Sequence, residues 1–198
     1  NVYKFRALRD RDASHSYASS TAIKLTNAKL KSSGLRQIAM LTGVTTRTVQ
    51  VYGIKMHSLS GDADLDVKVT KIEKKELLLL ENPRHKEILQ RFSHLQGVHM
   101  DYDDEKELLP VDLILGANNY AKIRTSESLR VGSSGEPGAE HSKFGWSIMS
   151  PGTDQEVSLG CLAVNSITDY DNLCSIIGCP WTDRHDRTRK QYLAYVSS

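Results

Sequence analysis

The chain has 198 residues, 39% hydrophobic and 25% charged, with a formal net charge of +2. That composition supports a packed core without metal or disulfides, and excludes a disordered or collagen-like chain. So small a net charge gives no strong signal for nucleic acid.

Three cysteines, Cys161, Cys174 and Cys179, all fall in the last quarter. An odd, sparse set is not a disulfide framework and fits a reducing, intracellular compartment, with the cytoplasm the expected one. The longest apolar run, "ELLLLE" around Leu77–Leu80, is far short of a membrane span, so no membrane partner is expected. The chain starts at Asn1 with no signal-peptide pattern, as expected for a piece of a longer polypeptide.

In chain order, "VYKFRAL" (2–8) alternates Tyr3, Phe5 and Ala7 against Lys4 and Arg6, the period of a strand. "ASHSYASSTAIKLTNAKL" follows, with Ala18, Ala22, Ile23 and Leu25 spaced for a short helix capped by Ser14 or Ser16. Asp10 therefore falls on a strand-to-helix turn. "RQIAML" and "TVQVYGIKMHSL" read as strands, with Gly43 and Gly53 as breaks. "GDADLDVKVTKIE" alternates Leu65, Val67 and Val69 against Asp64, Asp66 and Lys68, and Gly61-Asp62 is a hairpin turn before it. Asp62, Asp64, Asp66 and Glu73 match four positions of a calcium loop, but Val67 stands where that loop needs glycine.

Residues 81–97 place Ile88, Leu89, Phe92 and Leu95 at helical spacing, ended by Gly97. "DYDDEKE" (101–107) reads as a solvated loop. In "VDLILGANNYAKI" (111–123), Val111, Leu113, Ile114 and Leu115 make a buried strand, Gly116 breaks it and a short helix follows. "GSSGEPG" is a loop, and "SKFGWSIMSP" reads as a last strand. Cys161, Cys174, Cys179 and His185 lack the paired spacing of a zinc site, so no metal or cofactor is expected. No G-x-S-x-G surrounds any serine, and Asp10, Ser14 and His15 lie too close on one turn to act as a nucleophilic triad.

The order of "FRALRDRDASHSYAS", "HLQGVHM", "VDLILGANNYAKI", "KFGWSIMSP" and "DYDNLCSI", running from residue 5 to about 176, resembles the aspartic peptidase domain of Bel/Pao-type retrotransposon polyproteins, relatives of the retropepsins. The resemblance implies a mainly β fold, a retropepsin-like acid-protease half-barrel with one or two short helices. It would occupy residues 1–150, with a connector or tail of uncertain structure over 151–198. The family's first stretch reads A-L-L-D-[ST]-G-[AS]-x-x-S-[FY]. That makes Asp10 the catalytic carboxylate, Arg11, Asp12 and Ala13 the rest of its loop, and Ser16 and Tyr17 matching positions. Ile114, Leu115 and Gly116 become the hydrophobic-Gly element that packs behind the loop, and a flap falls within about residues 43–70. One Asp loop per chain implies a homodimer in which two Asp10 side chains share a proton, hydrolysing peptide bonds of the chain's own polyprotein. The flanking region of that polyprotein would be a reverse transcriptase.

Three positions depart from the pattern. Arg9 replaces a buried apolar residue, Arg11 a Ser/Thr and Asp12 a Gly. An arginine cannot accept the bond that locks the two loops, and Arg9 needs a carboxylate partner, expected to be Asp10 or Asp12. The expectation is a degenerate aspartic endopeptidase-like domain. The alternative is a non-catalytic structural or interaction domain of the same fold. "TDRHDRTRKQY" (182–192) is too thin a basic footprint for a nucleic-acid-binding module.

Overall fold

A computed structural model describes residues 2–10, 13–40, 43–101, 104–149 and 190–197. It is mainly β, with strand at 47% against helix at 18%. The strands are β1 (Tyr3–Arg9), β2 (Ser16–Ser19), β3 (Lys29–Met40), β4 (Gly43–His57), β5 (Asp64–Ile72), β6 (Leu78–Glu81), β7 (Leu108–Val111), β8 (Leu113–Leu115), β9 (Gly138–Ser142), β10 (Gly145–Met149) and β11 (Lys190–Ser197). Among the described residues three helices, α1 (Ser20–Thr26), α2 (His85–Arg91) and α3 (Ala117–Ile123), have seven residues each. That exceeds the one or two expected. Among the described residues no helix is long and apolar enough to cross a membrane.

Seven strands form one sheet in the order β11-β1-β8-β2-β5-β4-β3, and β11 also pairs with β4. The ladder therefore returns on itself, and among the described residues β3 is a free edge hung on β4. β6–β7 and β9–β10 are separate two-stranded ribbons. Residues 190–197, the end of the expected tail, run antiparallel along the whole of β1.

Two apolar layers sandwich the β1-β8-β2 centre. Phe5, Ala7, Leu113 and Leu115 join one core with Ile54, Met56 and Val67. Leu8, Ile114 and Tyr17 join the other with Leu77, Leu78 and Val111. Both faces of β8 are covered, which is why "LIL" is an unbroken apolar run rather than an alternating one. β5 has one solvated face, and there the alternation is clean: Asp64, Asp66 and Lys68 are exposed while Leu65, Val67 and Val69 are buried.

Local expectations fared unevenly. The β4–β5 turn falls at residues 58–63 with Gly61 at φ +81°, as the Gly-Asp pair indicates. Gly53 is not a break: it lies inside β4 opposite Lys29. Ser16–Ser19 is a strand, not the first turn of a helix, and the cap of α1 is Ser19, whose Oγ accepts the Ala22 N–H at 3.0 Å. The expected last strand straddles a hairpin, β9 and β10 meeting at Lys143–Phe144.

Candidate functional site

The loop carrying Asp10 connects β1 to β2, and β8 lies between those two strands. β1 and β8 run parallel, pairing Ala7 with Leu113, Leu8 with Ile114 and Arg9 with Leu115. β8 and β2 run antiparallel, pairing Tyr17 with Ile114 and Ala18 with Leu113. The backbone N–H of Asp10 extends the first ladder by donating to the Leu115 carbonyl at 3.0 Å. Asp10 is half-buried, and its Oδ1 accepts the Ala13 N–H at 3.2 Å, so the carboxylate is turned back onto its own loop. Ala13 is buried in the core with Leu8, Tyr17 and Ile114. Arg11 and Asp12 lie outside the described residues.

The hydrophobic-Gly element holds this loop from behind. The Ala13 carbonyl accepts the Ala117 N–H at 2.8 Å. A β-carbon on Gly116 would fall 2.6 Å from the Ala13 carbonyl oxygen and closer still to that of His15, so only glycine lets the two backbones meet. Ser16 closes the contact. Its hydroxyl accepts from the Gly116 N–H at 3.0 Å and from Asn119 Nδ2 at 2.8 Å, and donates to Asn118 Oδ1 at 3.3 Å. Ser16 and Asn119 are both buried, where such a satisfied network fixes one geometry. The structure thus brings Leu115 and Gly116 against the backbone of Asp10 and Ala13, with Ile114 in the same apolar layer as Ala13. The role of Asn118 and Asn119 escaped it, although two consecutive amides opening a short helix were a visible signal.

The partner of Arg9 also escaped it. Arg9 is 2% exposed at the end of β1, and its guanidinium pairs with Glu140 of β9, itself buried. The other oxygen of Glu140 accepts the Tyr120 hydroxyl at 2.5 Å, and Arg9 Cζ lies 4.3 Å over the Tyr120 ring. Each of the three side chains touches the other two, tying β1, α3 and β9 together beside the loop. The expectation of Asp10 or Asp12 did not name Glu140; Asp12 itself lies outside the described residues. A buried arginine demands a carboxylate from anywhere in the fold.

Comparison with protein families, curated proteins and solved structures gives no significant match.

A cleft of about 940 Å³ lies elsewhere, lined by His85, Leu89, Val98, Met100, Asp104 and Leu108 among others. No described residue of the Asp10 loop is among its lining residues. Burial, and secondly the charge of Arg6, lowers the His85 pKa to about 4, so its imidazole is neutral at pH 7. No group of three or more His, Cys, Asp or Glu among the described residues could hold a metal ion. Asp64 of the calcium-like run is bound instead by Lys55 at 3.0 Å and His57 at 2.6 Å. The cysteines and His185 lie outside the described residues.

Proposed function

We propose that the chain is an aspartic endopeptidase-like domain of a Bel/Pao-type retroelement polyprotein, with a retropepsin-like fold and a degenerate catalytic loop. The observation that carries this reading is the threading of β8 between the two strands that bear the Asp10 loop, with Gly116 pressed against the loop carbonyls. That arrangement sets one half-buried carboxylate at the end of a buried strand. In a twofold dimer a second Asp10 would face the first. One carboxylate would take a proton from water while the other, protonated, gives its proton to the peptide carbonyl. The pair would titrate as a unit. The β3–β4 hairpin is the element that would close over an extended substrate. It begins before the expected window, at Lys29, and residues 41–42 between its strands lie outside the described residues. The substrate would be the chain's own polyprotein in the cytoplasm, beside its reverse transcriptase region, and the chemistry needs no cofactor.

Arg11 and Asp12 favour the second reading, a non-catalytic domain of the same fold. They put two charges where the family's loop has a hydroxyl and no side chain.

The test uses three purified chains: the given sequence, the change Arg9→Leu/Arg11→Thr/Asp12→Gly/Glu140→Leu, and the latter with Asp10→Asn. The second should dimerise and cleave a peptide library at acidic pH, the third should not, and the first should be inactive or nearly so. A second chain that folds and dimerises without cleaving overturns the peptidase-like assignment. A given chain that cleaves in an Asp10-dependent way overturns the degeneracy.

A further inference from the structure

The arm formed by β3 and the facing half of β4 carries a charge pattern that peptide hydrolysis does not use. No Asp or Glu occurs between Asp12 and Asp62, although the chain has 24 acidic residues. Lys29, Lys31, Arg36 and Arg47 all lie on the arm. Among the described residues β3 is the free edge of the sheet, and every residue from Lys29 to Gln37 is exposed, so both faces of the strand meet solvent. Thr46, Arg47 and Thr48 opposite are exposed too. The result is a two-stranded ribbon standing clear of the body.

Arg36 and Arg47 are direct cross-strand partners on this ribbon. Like charges in that position repel and weaken the ladder. Among the described residues no carboxylate relieves them, nor Lys29 or Lys31. Lys55, further along β4, shows the contrast: Asp64 holds it at 3.0 Å. The ribbon therefore keeps an uncompensated double positive charge in register, which an external anion would neutralise.

We infer that the β3–β4 ribbon docks on the phosphodiester backbone of a nucleic acid. Beside the exposed Leu30 and Leu35, the ribbon presents hydroxyls and an amide, Ser32, Ser33, Thr46, Thr48 and Gln37, which with Arg and Lys are groups that contact phosphates. A two-stranded ribbon also fits the major groove of a duplex. Tyr52 is the single aromatic residue of β3 and β4, so the ribbon has no row of rings on which to stack bases. Binding is then driven by backbone charge, independent of sequence and salt-sensitive. The reading is independent of the peptidase assignment.

The full chain is titrated into a labelled duplex of about 20 base pairs, followed by fluorescence anisotropy from about 50 to 200 mM salt. Four neutralised phosphates give a slope of about −3 to −4 for log affinity against log salt. Arg36→Gln/Arg47→Gln should weaken binding about tenfold or more at the low-salt end and flatten the slope by about 2. Its thermal midpoint should stay level or rise, because the repelling pair is gone, which separates lost binding from lost folding. Asp10→Asn should bind as the parent does. The inference is overturned by an absence of binding at low salt, by an unchanged slope in the double variant, or by a poly-glutamate peptide that binds as tightly with the same slope, which would point to an acidic protein partner instead.

Discussion

Arg9 and Glu140 form a buried ion pair between the residue that precedes Asp10 and a strand 131 positions later. The pair makes Arg9 part of the architecture that joins β1 to β9. Removing one partner leaves the other charged in an apolar setting.

Arg9→Leu alone should therefore destabilise the fold by about 3–5 kcal/mol. Arg9→Leu/Glu140→Leu should recover most of that loss. Urea denaturation of the two single variants and the double gives the coupling directly. Additive losses would show that the pair does not act as one unit.

Tyr120→Phe removes the hydroxyl that donates to Glu140 at 2.5 Å but keeps the ring beneath Arg9. The expected cost is about 1–3 kcal/mol, that of one buried carboxylate oxygen left without its donor. Tyr120→Leu should cost more, since the ring contact goes as well, and the difference is measurable by the same denaturation.

Gly116→Ala should lower stability by about 1–3 kcal/mol or more, because the added methyl meets backbone rather than a yielding side chain. Amide exchange should speed up at Asp10 and Ala117, whose N–H groups bond Leu115 and Ala13 across this contact. Unchanged exchange there would show that the loop does not rest on Gly116.

Two half-buried groups give the stability opposite slopes with pH. His85 has its pKa lowered from 6.5 to about 4, chiefly by burial and then by Arg6. The unfolded chain binds the extra proton between those values, so stability is lost as pH falls through that window, by at most about 3 kcal/mol at roughly 1.4 kcal/mol per unit. His85→Asn should flatten that limb. Asp112 is shifted the other way: burial raises its pKa above the ordinary 3.8, a hydrogen bond from Ser19 opposes this, and Glu76 adds to it. The unfolded chain loses that proton first, so this contribution falls as pH rises from 3.8 through the raised value. Ser19→Ala should extend the falling limb to higher pH and also remove the cap of α1, at about 1 kcal/mol. Stability profiles between pH 3 and 8 check both.

What the chain discloses about itself follows the physics of each element. The strand at Leu113–Leu115, the glycine after it and the helix beyond were legible because burial on both faces forces an apolar run and the close approach forces a glycine. β5 was legible because one face is wet. Ser16–Ser19 was not: three small residues and one tyrosine become a strand because β5 and β8 flank them, and their local propensity alone does not say so. Glu140 was hidden for the same reason. "GAEHS" has no apolar alternation, and its acid is buried only because Arg9 and Tyr120 are waiting there. Asp10 could be picked out from sequence. The machinery that holds it could not, because most of it arrives about a hundred residues later.

That separation also dictates the order in which the molecule can assemble. β8 fills the space between β1 and β2, so neither early strand gains this neighbour until residues 113–115 have left the ribosome. Contacts so distant along the chain form slowly, because a large loop must close before they bring any gain. Until then β1, with its two buried arginines, and the loop of Asp10 have no central strand to rest on. The loop is thus among the last parts of the domain to take shape. A chain interrupted before residue 113 would carry Asp10 without the means to hold it in place.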